Sequence, residues 1–259
     1  MKECAFCPSP AVAHGGEHAW SDWINRILPD KRFRLLSFSD TGPHHTYIKR
    51  KLDVKFPVVC EACNNEWMSG LENDHAKPAI KDLILSDKFV KLSPQRLDSI
   101  AKFAFKTAVV ADHFSLASDM PFFSTAARYT FRESLTIPGG VQMWIAAFKE
   151  RGHGALRAVY HESPAKMANG FQLYTLTFGA GYFLVQVVSC RWRAPGGISG
   201  FVPFVTQAKF WDKFSAPFWP PRNEAILWPS DKQFNVLWCN KFSSRWQETS
   251  VPESWLRID

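Results

Sequence analysis

VVCEACNNEW (residues 58–67) sets two cysteines two residues apart and follows the second with a pair of asparagines. A C-x-x-C pair presents two thiolates from one tight turn, which is half of a tetrahedral metal site. The other half stands at the start of the chain, in ECAFC (residues 3–7). Cys4, Cys7, Cys60 and Cys63 together suit one structural Zn²⁺, whose binding would close the 52-residue loop between the pairs. A redox role is the competing reading of a single C-x-x-C, and the presence of two pairs favours zinc. A site of four cysteines is closed, so it holds structure and leaves no coordination position for a reacting water. The remaining cysteines, Cys190 and Cys239, lie in the apolar runs VVSC and VLWC and read as buried thiols on strands.

The chain has 259 residues, of which 46% are hydrophobic. That is enough for one large domain or two small ones. The 22 Phe and 11 Trp imply a strongly aromatic core. Residues 1–85 carry as many acidic as basic side chains, so the net charge of +7 comes from residues 86–259. A basic balance suits a polyanionic partner, and KRFR (31–34) and KRK (49–51) are local basic clusters whose plain reading is a solvated strand edge. No signal-like leader and no apolar run of membrane-spanning length is visible, so a cytoplasmic protein without a membrane partner is expected.

WSDWINRIL (20–28) has helical spacing, with Ser21 as N-cap and Pro29 as terminator. RFRLLSFSD and HHTYIKRKLDVKFPVVC read as strands around the turn DTGPHH. A helix is expected from Asn64 to about Leu85, kinked or divided by Pro78. A boundary near 86–93 separates residues 1–85 from residues 86–259. Ser93 and Pro94 then open a long helix to Phe114. Five strand-like runs follow: VQMWIAAF, ALRAVYH, FQLYTLTF, YFLVQVVSC and FNVLWCN, with a hairpin turn at GAG (179–181). The second part therefore reads as an α+β body with a mainly antiparallel sheet.

Chemistry has to come from residues that the zinc would position. Asn64 directly follows Cys63, and its neutral amide oxygen can ligate Mg²⁺. In GEHAW (16–20), Glu17 and His18 are adjacent, so on a strand they point to opposite sides. One could hold a metal while the other faces an attacking water, because an imidazole can accept a proton at neutral pH. Glu72 and His75 are further candidates on the helix. His14, His44 and His45 read as loop residues.

The order C-x-x-C, acid–His, C-x-x-C-N resembles the zinc-stapled branch of the HNH, or ββα-metal, nucleases, the branch of phage endonuclease VII. The resemblance covers about residues 1–85. It implies a treble-clef ββα unit with structural zinc and a helix beginning at Asn64. It implies Glu17 and Asn64 as ligands of a catalytic Mg²⁺ or Mn²⁺, His18 as general base, and endonucleolytic hydrolysis of DNA. Glu17 stands where the branch often has Asp, and KFPVVC replaces its Asn-Leu-Gln-type segment. Residues 86–259 would then choose the substrate, bind a protein partner or form a homodimer. The alternative expectation is a zinc-scaffolded module of a defence or mobile-element system that binds nucleic acid or a partner without cutting.

Overall fold

The computed structural model describes residues 3–11, 16–29, 33–37, 45–114, 121–162, 170–193, 199–201 and 210–244. His14, His44, Lys31, Arg32 and most of the turn DTGPHH lie outside them. Among the described residues the architecture is mixed α and β, with one large sheet and three two-stranded ribbons.

The large sheet is built mainly from β8 (Val141–Ala147), β9 (His153–Glu162), β10 (Gly170–Ala180) and β11 (Phe183–Arg193). These pair antiparallel, and β12 (Ser199–Phe201) and β13 (Ser215–Trp219) extend the array. On β11, Phe183, Val185 and Val187 enter one buried cluster, while Leu184 and Val188 enter another on the opposite face. Burial on both faces is why FLVQVV reads as a continuous apolar run rather than an alternating one. The hairpin turn falls at Gly181–Tyr182. Gly181 has φ +62, and a Cβ there would lie 2.2 Å from the carbonyl of Ile84. Only glycine lets this turn press on the helix end, where the Tyr182 N–H donates to that same carbonyl at 3.1 Å.

The sheet also recruits strands from the N-terminal part. β4 (Phe33–Ser37) runs parallel to β9, and β5 (His45–Lys49) pairs with β4. In sequence they lie between β3 (Glu17–His18) and β6 (Lys55–Phe56), which pair with each other in a separate ribbon.

α4 (Pro94–Phe114) is the central helix. Ser93 caps it, accepting the Arg96 N–H on Oγ. Its residues from Phe103 to Asp112 are all buried, among them Phe103, Phe105 and Val109. Each such aromatic or branched side chain contributes about 1.5–3 kcal/mol by leaving water. One buried cluster contains Phe6 and Trp20 together with Phe105, Phe178 and Trp228, so packing runs across the link at 86–93. Across that link, Trp20 donates from Nε1 to the carbonyl of Gly179 at 2.9 Å.

Three expectations are corrected. FNVLWCN is not a strand: Val236–Ser244 forms a helix, α6, and carries Cys239. A short apolar run buried on one side has the same composition in either conformation. The second helix begins at Glu61, not Asn64 (α2, Glu61–Cys63), because the Cys60 side chain takes the N-cap position and accepts from the Cys63 N–H. Pro78 does not divide it. Two π-helical segments, Asn64–Met68 and Leu71–Ala76, precede α3 (Lys77–Leu85). The second ends just before the proline, whose ring would crowd the carbonyl four residues back in a regular helix.

Candidate metal centre and the carboxylate–lysine cluster

β1 (Glu3–Cys4) and β2 (Cys7–Pro10) form the first knuckle, with Cys4 and Cys7 opposite each other. Cys60 and Cys63 bracket the start of α2. All four Sγ atoms are buried and lie within 4.8 Å of one another. Tetrahedral zinc with bonds of about 2.3 Å would set them ~3.8 Å apart, and the Cys7–Cys60 and Cys7–Cys63 separations are 3.5 and 3.6 Å. The four cysteines are positioned to bind a metal ion, and the all-thiolate donor set fits zinc. Backbone N–H groups of Phe6 and Cys60 point at Cys4 Sγ at 3.4 and 3.3 Å. The Cys63 thiol and these amides pull Cys4 down to about 4 against the opposing effect of burial. Such donors favour the thiolate that a metal requires.

Residues far along the chain brace this centre. Arg128 on α5 (Thr125–Ser134) donates to the carbonyls of Ala5 and Phe123 and to Thr125 Oγ1. The Ala5 N–H in turn donates to the Val58 carbonyl at 2.8 Å, which ties the first knuckle to the segment entering the second. Trp67 packs edge-on against Phe6, with ring centroids 4.9 Å apart.

β3 reaches β6 through Gly16, whose φ is +52; a Cβ there would sit 2.9 Å from the Phe56 carbonyl. Glu17 and His18 then face opposite ways, as the strand geometry requires. Glu17 is buried, and its Oε1 accepts a hydrogen bond from Lys106 Nζ at 2.6 Å. Glu72 Oε1 accepts from the same ammonium at 2.9 Å. The Lys106 side chain is 1% exposed. Burial weakens its hold on the proton; Glu17 first and Glu72 next more than reverse that and hold it above the ordinary lysine range. Sequence reasoning missed Lys106. The available signal was a lone lysine inside AFKTAVVA, a helical stretch otherwise apolar or weakly polar all round.

His18 is half-buried. Its Nδ1 is enclosed without a hydrogen-bond partner, so Nε2 is the ring nitrogen that can meet water. Asn64 is half-buried on the second helix. Its N–H is spent on the Cys60 carbonyl at 3.0 Å, so it is not a free amide at a helix start. Among the described residues, the four cysteines are the sole cluster of three or more His, Cys, Asp or Glu side chains with metal-binding spacing.

Of the residues expected to hold Mg²⁺ or Mn²⁺, Glu17 does not fit that ion in this arrangement. A divalent ion on Glu17 would share a carboxylate with a desolvated ammonium. Charges of +2 and +1 about 4 Å apart repel by roughly 8 kcal/mol at an effective dielectric of about 20.

No family of known proteins, no curated protein and no solved structure matches the chain.

Proposed function

We propose that the chain is a nucleic-acid phosphodiesterase built on a zinc-stapled, treble-clef ββα plan, with His18 as its general base. The observation that carries this reading is the order in space of β3, β6, the second cysteine knuckle and the helix from Glu61. That order sets a half-buried imidazole on the strand that pairs with β6, and β6 leads along the chain into the second cysteine knuckle. His18 Nε2 would take a proton from water as the oxygen attacks phosphorus, while the bond from phosphorus to the leaving ester oxygen breaks and that oxygen takes a proton from solvent. This chemistry does not use a divalent ion on Glu17, whose carboxylate is engaged by Lys106.

A basic, aromatic surface elsewhere supports a nucleic-acid substrate. Lys149, Lys213 and Lys232 surround a cavity of about 550 Å³ with Phe210, Phe214 and Trp238, and Asp231 also lines it. Phe210 is 52% exposed. None of the three lysines has an ion pair among the described residues. The exposed Phe210 ring beside unpaired ammonium groups suits a stacked base and a phosphate backbone.

The second reading is a zinc-scaffolded module that binds nucleic acid without cutting it. The observation favouring it is the same ion pair, which withholds Glu17 from the ligand role that cleavage in the resembled nucleases needs. Incubating plasmid, single-stranded DNA and RNA with the protein, with and without Mg²⁺ or Mn²⁺, separates the two. Cleavage that disappears in His18→Ala supports the first. Salt-dependent binding with no cleavage under any condition overturns it in favour of the second.

A further inference from the structure

Three separate elements deliver charge to one enclosed point. Glu17 comes from β3, Glu72 from the π-helical segment Leu71–Ala76, and Lys106 from the middle of α4. Their side chains are 7%, 16% and 1% exposed. The Phe103 ring lies 5.1 Å below the ammonium and closes it from another side.

A buried lysine needs one carboxylate to balance it. Here two converge, and the three groups together keep a net charge of −1. Two carboxylates aimed at one central cation, with a residual negative charge, is the arrangement of a divalent-ion site rather than of a neutral ion pair. The ion in the centre is supplied by the chain itself.

We infer that Lys106 is the resident cation of this centre: its ammonium fills the place between Glu17 and Glu72 that a divalent ion would otherwise take. The chain therefore holds the two carboxylates in register without Mg²⁺ or Mn²⁺, and the wild-type centre excludes those ions. Removing the ammonium while keeping the side-chain volume opens a two-carboxylate site for a hard divalent cation. The inference concerns ion binding, so the cleavage reading can fail while it stands.

The test is Mn²⁺ binding followed by electron paramagnetic resonance, on protein whose cysteine centre is already filled with zinc. Wild-type protein is expected to take up no Mn²⁺ below millimolar concentration. Lys106→Met is expected to bind one Mn²⁺ per chain at least about a hundredfold more tightly, since the repelling charge is gone. Glu17→Gln combined with Lys106→Met should lose that site. Zinc content and circular dichroism on the same samples report whether Lys106→Met is folded. A folded Lys106→Met protein that binds no Mn²⁺ overturns the inference. So does wild-type protein that binds one Mn²⁺ which Glu17→Gln abolishes, a measurement that does not depend on the lysine variant folding.

Discussion

The guanidinium of Arg128 donates to the carbonyl of Ala5, the residue that follows Cys4 in the first knuckle. Arg128 also satisfies the carbonyl of Phe123, so a single buried side chain ties α5 to the cysteine centre. Arg128→Met keeps most of the apolar stem and leaves both carbonyls without this donor. Losing a buried hydrogen bond to a charged group costs about 1.5–3 kcal/mol. For a chain of this size that corresponds to a fall in melting temperature of roughly 5 °C. Zinc should also leave faster in the presence of a chelator. Thermal melts and timed zinc release check both, and an unchanged release rate would argue that α5 does not brace the knuckle.

Thiol chemistry should divide the six cysteines into two groups. All six are buried. The metal-loaded protein is expected to hold one zinc per chain and to react slowly with a disulfide reagent at pH 8. Chelation should release four reactive thiols, and Cys60→Ser should lose zinc and unfold the N-terminal segment, because a structural site contributes folding free energy. Cys190 should stay silent until denaturant is added. Burial pushes its thiol from 9.0 up to about 12, so it carries almost no thiolate in the folded protein at pH 8. The sign with pH follows from that shift. The unfolded chain ionises this thiol near 9.0 and the folded chain only near 12, so its effect is absent below the first value and stability falls as pH rises between the two.

His18→Ala should leave zinc content and melting temperature close to wild type, because the ring is half-buried and its Nδ1 has no partner to lose. Cleavage, where it is seen in the wild type, should fall by at least about a hundredfold at neutral pH, the low end for a general base. Parallel loss of stability and activity would instead mark His18 as a packing residue. Nicking of supercoiled plasmid and thermal melts on one preparation distinguish these results.

Replacing Lys149, Lys213 and Lys232 together by Glu should weaken binding of a single-stranded oligonucleotide and flatten its salt dependence. Each phosphate contact on a single strand contributes about 0.7 to the slope of log affinity against log salt. Loss of three contacts should lower the slope by about 2. The measurement is fluorescence anisotropy across a salt series in the His18→Ala background, so that cutting does not interfere. An unchanged slope would remove this cavity from the nucleic-acid surface.

The parts legible in the sequence are those whose cause is local. The two C-x-x-C pairs announce their thiolates by spacing alone, and the structure gathers all four. Strands β8 to β11 follow from short apolar runs bounded by turns. Lys106 was hidden because its partners stand 89 and 34 residues away, and only the fold makes them neighbours. The helix start was misplaced by one turn because a cysteine side chain acts as its N-cap, a role read more readily from Ser, Thr, Asp or Asn. Ser21 shows the converse: it sits at the expected N-cap yet makes no side-chain cap, and its hydroxyl is buried without a partner. The cavity lysines gave only a net basic charge, since aromatic neighbours from distant segments define the surface.

The parallel pairing of β4 with β9 has a consequence for how the chain comes to be folded. Arg34 finds its partner at His153, and Ser37 at Leu156. A ribosome must therefore deliver well over half of the polypeptide before the segment between β3 and β6 can settle. Pairings of such sequence separation close late and slowly, because the entropy of the intervening chain must be overcome first. Until then the two cysteine knuckles are joined by an unanchored loop, and thiolates with incomplete shells are open to oxidation. A nascent chain stalled after residue 85 should leave Cys4 and Cys7 reactive, whereas one released past β11 should protect them, making cysteine accessibility a clock for the emergence of the sheet.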